Sequence, residues 1–199
     1  MEYCLIEGRE IKTVPMSLLV QLGSIVDFNV PMMETVFEKI GTPYKYEDFA
    51  QRLELAKYWL YQCAPESANK LRDYRDFDLY NTFSEEEKKE IALLYDYIAA
   101  GEYDLDSLNT KLYDIPKEVF GYDVENLKQI QGQFFKNVYK LLISKERGPR
   151  LYLFLYAIDR ERFMHLLDFS HPQTEEELAI IKAEQEAEAA ANAPKEKVY

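Results

Sequence analysis

Cysteine, glycine, proline and histidine are all scarce in this 199-residue chain, and each scarcity removes a class of protein. Two cysteines, Cys4 and Cys63, cannot build a disulfide framework or a cysteine zinc site, and they read as isolated core or surface thiols. Seven glycines and eight prolines are too few for the many tight turns of an all-β fold. Two histidines, His165 and His171, form no pair at catalytic or metal-ligating spacing. There is no glycine-rich phosphate loop, no Gly-x-Ser-x-Gly and no Cys-x-x-Cys. No apolar run reaches the roughly 18 residues of a membrane span. The start, MEYCLIEGRE, lacks the basic and hydrophobic regions of a secretory signal. Positive charge is also in deficit: 24 Lys and Arg face 36 acids, for a formal net charge of −12. That balance disfavours non-specific nucleic-acid binding, so any such contact must be local. The expectation is a soluble, cytosolic protein with no catalytic residues, metal site or cofactor of its own, and with neither a membrane nor DNA as partner.

What is present is helical periodicity. After a lead-in over residues 1–14, Pro15 opens an apolar segment, Met16 to Val26. Pro31, at a first helical turn, opens a second that runs to Ile40 and stops at Gly41. Phe49, Leu53, Ala56, Leu60 and Cys63 mark one buried face of a helix over Glu47 to Cys63. Residues 66–83 are mixed polar and aromatic and read as a linker. Ser84 and Glu87 form a capping box for a helix running to about Ala100, with Gly101 closing it. Asp104 or Asp106 caps the next helix, which carries Leu108, Leu112 and Ile115 and which Pro116 kinks or ends. Asp123 is expected to cap the longest helix, Val124 to about Lys145, with Gly148 stopping it and Pro149 starting another. Asp159 begins a short helix ending near Phe169. A Thr174/Glu177 capping box then opens an Ala/Glu-rich segment that has little to bury and reads as a solvated extension. The predicted architecture is an all-α, two-lobed helical bundle. Its lobes are residues 15–65 and 84–170, followed by an acidic tail over 171–199.

The basic residues are not evenly spread. Between Lys128 and Arg162 lie eight Lys and Arg against three acids, the only basic island of an acidic chain. Its centre is Arg147-Gly148-Pro149-Arg150. A helix beginning there exposes unpaired amides and a partial positive charge, a ready anion site. Arg150 falls in the first turn, where the dipole disfavours a cation unless an anion is bound. Lys145 and Arg147 flank it, and Lys136, Lys140 and Arg160 extend the island. The competing reading has Lys145 and Arg147 complementing a helix C-terminus while Arg150 pairs with Asp159 or Glu161. Lys128, Gly132, Lys136 and Lys140 recur at four-residue steps, a phosphate-facing stripe or simply a solvated face. Gly132 suggests close approach by a helix or by a partner's backbone. The tyrosines between Tyr44 and Tyr80 suit either core packing or stacking on unpaired bases.

Longer segments carry a resemblance. Lys128-Gln129-Ile130-Gln131-Gly132-Gln133-Phe134-Phe135-Lys136, followed by Lys145 to Phe163, resembles the C-terminal region of class I lysyl-tRNA synthetases. VPMSLLVQLGSIVDFN, EKIGTPY, RLELAKYWLYQCAPES and Phe83 to Glu90 fit the same family, so that the similarity covers roughly residues 13–178. Enzymes of this family join lysine to its tRNA with ATP, on a Rossmann-type catalytic domain bearing HIGH-like and KMSKS-like signatures. Neither signature occurs here. The resemblance therefore implies the all-helical anticodon-binding region, a fragment that neither activates lysine nor binds ATP by itself. Its implied partners are a lysine-accepting tRNA and the synthetase's catalytic domain. The resemblance strengthens RNA contact by Lys145, Arg147 and Arg150; with Lys136, Lys140, Gly148 and Arg160 of the same basic island, these are the expected tRNA-binding residues. Glutamyl-tRNA synthetases share a helical C-terminal architecture, so the amino acid of the parent enzyme rests on sequence likeness. A freestanding protein-interaction module, or a brace for a separate catalytic chain, is the alternative.

Overall fold

A computed structural model describes residues 13–192, and these contain ten α-helices and no strand. In chain order they are α1 (Met16–Ile25), α2 (Val30–Lys39), α3 (Tyr46–Tyr58), α4 (Phe77–Asn81) and α5 (Glu85–Ala100). Then follow α6 (Leu105–Phe120), α7 (Leu127–Ile143), α8 (Leu151–Ala157), α9 (Arg160–Leu167) and α10 (Glu175–Asn192). The expected all-α class is observed. Cys4 and most of the lead-in lie outside the described residues. The chain divides into two compact units, one reaching to Lys70 and including Gly148–Ile158, the other made of Leu71–Arg147 and the residues from Asp159 onward.

The first unit is built around α1, α2 and α3. Its core joins Leu19, Leu22, Met33, Val36, Phe37, Phe49, Leu53, Ala56 and Leu60, with Ala157 of α8 added to it. Edge-to-face contacts of Phe37 with Tyr44 and Phe49, at 5.2 and 5.3 Å, order the centre. The corner between α1 and α2 is tight. Asp27 and Phe28 both adopt left-handed φ, and Phe28 folds back on Gly23, where an added Cβ would meet its ring at 2.6 Å. Asn29 caps α2 by accepting from the Met32 amide. The helix of Glu47 to Cys63 keeps its predicted inner face except at its end. The last turn, Trp59–Cys63, widens to a π-helix and leaves Cys63 exposed instead of buried. Because α8 packs on α2, Gly148–Ile158 belongs to this unit and not with the helices that precede it in sequence.

In the second unit α5 packs against α6, α7 and α9, and α7 packs against α6 and α9. Ile91, Leu94, Ile98, Leu108, Leu112, Ile115, Phe134, Val138, Leu141, Leu142, Phe163 and Leu166 are buried there. The Ser84/Glu87 box forms, Asp104 is the cap of α6, and Gly101 ends α5 at φ 76°. Three boundaries differ from the sequence reading. Pro116 does not end α6, which continues to Gly121; a proline forfeits one backbone bond, and burial of Pro116 in the core holds the helix through it. α7 begins at Leu127, so Asn126 and not Asp123 precedes its first turn. It stops at Ser144, whose left-handed φ of 59° ends the ladder before Gly148 is reached. The stretch read as a linker is also structured. From Leu71 onward it belongs to the second unit, contains α4, and carries Arg75, only 2% exposed. The Thr174/Glu177 box forms, yet Glu177 is buried while Leu178 stays half-exposed, so α10 is anchored by a polar residue.

Candidate nucleic-acid interface

The C-terminal end of α7 gathers cations for a physical reason. Its last carbonyls have no partner within the helix and carry the negative end of the helix dipole. Arg72 meets two carbonyls of the last turn: its amide donates to the Leu142 carbonyl at 2.8 Å, and its Nε to the Lys140 carbonyl at 3.2 Å, which also accepts from the Ser144 amide. Lys136 and Lys140 lie one turn apart on α7 with partly exposed side chains. After the left-handed Ser144 the chain brings Glu146 to both: its Oε1 lies 2.8 Å from Lys136 Nζ and 3.2 Å from Lys140 Nζ. Those two ammonium groups hold the Glu146 carboxyl below the usual carboxylate range.

The rest of the predicted site is distributed. Lys145 is half-buried, and Arg147 and Gly148 are exposed. Arg150 is exposed and precedes the first turn of α8 instead of lying within it. Its ψ of 121° is extended, and the helix starts at Leu151. Arg150 is the N-cap residue and so still lies at the positive end of the α8 dipole. α8 is only seven residues long, too short for a strong anion site at its start. Arg150 Nη1 donates to the Tyr152 hydroxyl at 3.3 Å. Lys136, Lys140, Lys145, Arg147 and Arg160 belong to the second unit, Gly148 and Arg150 to the first. Lys136 and Lys140 are brought together by Glu146. Arg160 is engaged at the end of α5, where its Nη2 donates to the carbonyls of Ile98 and Ala99 at 2.8 and 2.9 Å. Among the described residues nothing lies within 4 Å of a Cβ built on Gly132, so no described helix approaches it closely.

The tyrosines separate into two groups. Tyr44 packs on Phe37, Tyr61 donates to Asp27 at 2.8 Å, and Tyr80 stacks on Phe169 with ring centroids 3.9 Å apart. Leu55, Tyr58 and Trp59 form an exposed apolar ridge at helical spacing along α3 and its π-turn, 55, 66 and 45% accessible. Near α9, Asp168, Ser170 and His171 lie within hydrogen-bonding distance of one another in a single exposed turn. Both the serine and the aspartate meet the same ring nitrogen, Nδ1, so the histidine is not set between them as a base-relay geometry requires. Arg72 and Glu146 are the residues that sequence reasoning missed. The first sat in an apparent linker, and the second counted only as one of three acids in the basic island.

No family model matches the chain. Curated proteins do. The chain is 28% identical over 125 residues to a lysine–tRNA ligase of Streptomyces coelicolor, covering 58% of this chain and 21% of that protein. It is 25% identical over 151 residues to a lysine–tRNA ligase of Archaeoglobus fulgidus, covering 74% of this chain and 28% of that protein. It is 31% identical over 113 residues to that of Pyrococcus furiosus, covering 55% and 19%. This chain carries a lysine–tRNA ligase-related region. It spans between 19 and 28% of the length of these three relatives.

Proposed function

We propose that this chain binds the anticodon end of a lysine-accepting tRNA in the cytosol, as the helical portion of a class I lysine–tRNA ligase. The observation that carries the reading is the shared likeness to lysine–tRNA ligases from bacteria and archaea, confined to a fraction of their length. Activation of lysine with ATP falls to a catalytic domain outside this chain's fold. Lys136, Lys140, Lys145, Arg147 and Arg150 would position the ribose–phosphate backbone, and polar or aromatic side chains would discriminate unpaired bases. The test is a titration of the 199-residue chain with a lysine-accepting tRNA transcript and with the same transcript carrying another anticodon. The reading requires affinity that falls steeply with salt and is weaker for the altered anticodon. Equal affinity for both transcripts counts against it.

The exposed Leu55/Tyr58/Trp59 ridge favours a second reading, a module that docks on a separately encoded catalytic chain. Substituting all three with serine leaves tRNA affinity unchanged under that reading and abolishes co-purification with such a chain.

A further inference from the structure

One carboxylate oxygen bridges two ammonium groups at the end of α7. Lys136 Nζ and Lys140 Nζ both lie within 3.2 Å of Glu146 Oε1. A phosphate oxygen held by this pair of lysines would occupy the same position, because both oxygens are anionic acceptors of similar size. The carboxylate is not part of the helix. It comes from a turn, Ser144 to Arg147, in which no side chain is buried, and Glu146 itself is 58% exposed. Withdrawing it leaves the core packing undisturbed.

We infer that Glu146 is an internal counter-anion occupying a phosphate-binding site formed by Lys136 and Lys140, and that an RNA phosphate must displace it to bind there. The inference rests on the RNA-binding reading for its natural ligand, but the competition applies to any phosphate group. The device has a use. A tethered carboxylate competes at the high effective concentration of an intramolecular group, so a lone phosphate loses to it. A polyanion that also reaches Arg147, exposed on the same turn, displaces it by engaging several cations at once. An acidic chain with a net charge of −12 thereby keeps its basic surface closed to small anions.

The experiment is a cycle of variants in the full chain: E146Q, K136Q/K140Q and the triple combination. The glutamines retain much of the aliphatic stems, and circular dichroism checks that each variant is folded. Binding is measured at low salt with inorganic polyphosphate and with a lysine-accepting tRNA transcript. E146Q is expected to tighten polyphosphate binding about twofold to fivefold, the scale that exposed ion pairs command. That gain disappears in the K136Q/K140Q background. Unchanged affinity in E146Q overturns the inference, as does a gain that persists without the two lysines, which would be only the removal of one negative charge. A lysine-dependent gain for polyphosphate, with the tRNA bound no better than an unrelated RNA, sustains the counter-anion and rejects the anticodon reading.

Discussion

Arg75 and Glu177, 102 positions apart in sequence, form a buried ion pair, with Arg75 Nη2 2.7 Å and Nε 2.9 Å from the two carboxylate oxygens. The remaining donors of the guanidinium are used as well. They reach the carbonyls of Asp168, His171 and Pro172, so one side chain fastens the turn after α9 and the first turn of α10 together. Full pairing is what makes burial of these charges tolerable.

Breaking that pair should be costly. Arg75→Ala leaves the Glu177 carboxylate buried without its partner and is expected to lower unfolding free energy by about 3–5 kcal/mol, measured by urea denaturation. The Arg75 guanidinium holds the Glu177 carboxyl down to about 2, from an ordinary 4.5. A depressed folded-state pKa gives stability that is present above pH 4.5 and lost as pH falls toward 2. Glu177→Gln should flatten the acid-side stability profile over that window. An unaltered profile would assign acid sensitivity to other carboxylates.

Glu90 predicts the opposite slope. It is 1% exposed on α5, and its Oε1 has no hydrogen-bond partner among the described residues. Burial, with the Glu87 charge one turn away, pushes its carboxyl up to about 8. The folded state therefore holds the proton that the unfolded chain releases near 4.5, and stability falls as pH rises from there to about 8. Glu90→Gln mimics the neutral form. It is expected to be nearly silent at pH 5 and stabilising by about 1–3 kcal/mol at pH 9, as read by thermal melts across pH.

Arg160 has a structural duty that can be separated from RNA binding. Its guanidinium closes the end of α5 beside Gly101, where an added Cβ would sit 3.1 Å from two guanidinium nitrogens. Arg160→Ala should cost about 1–3 kcal/mol of stability by removing two charged hydrogen bonds. Gly101→Ala should also destabilise, because φ of 76° strains a side chain there. Melting temperatures check both, and a tRNA titration of folded Arg160→Ala shows whether it also loses affinity.

Arg147→Ala with Arg150→Ala tests the exposed part of the basic island. The pair is expected to weaken tRNA binding and to lower the slope of log affinity against log salt by about one for each phosphate no longer neutralised. Thermal stability should stay close to the unsubstituted protein, since both side chains are exposed. An unchanged salt slope would remove these arginines from the interface.

Much of the fold was legible because its signals are local. The Ser84/Glu87, Asp104 and Thr174/Glu177 caps and the Gly101 stop each depend on residues within one turn, and all are observed. Pro116 and Ser144 escaped because neighbours outweighed propensity. A buried proline can remain inside a helix whose core face is packed, and a serine can end one when Arg72, from distant sequence, meets the freed Leu142 carbonyl. In the candidate site, the basic residues were visible as composition. Their engagement with Glu146 and with the end of α5 was not.

The amino-acid order alone determined an all-α chain, most helix starts, and a cationic segment on an acidic body, since periodicity, capping and charge are written within a few residues of one another. Tertiary structure decided that α8 joins the first unit, that Arg75 is buried on Glu177, and that Glu146 sits between Lys136 and Lys140. Each of these depends on where the chain's packed helices and turns bring side chains in space, and spacing along the sequence alone does not encode that.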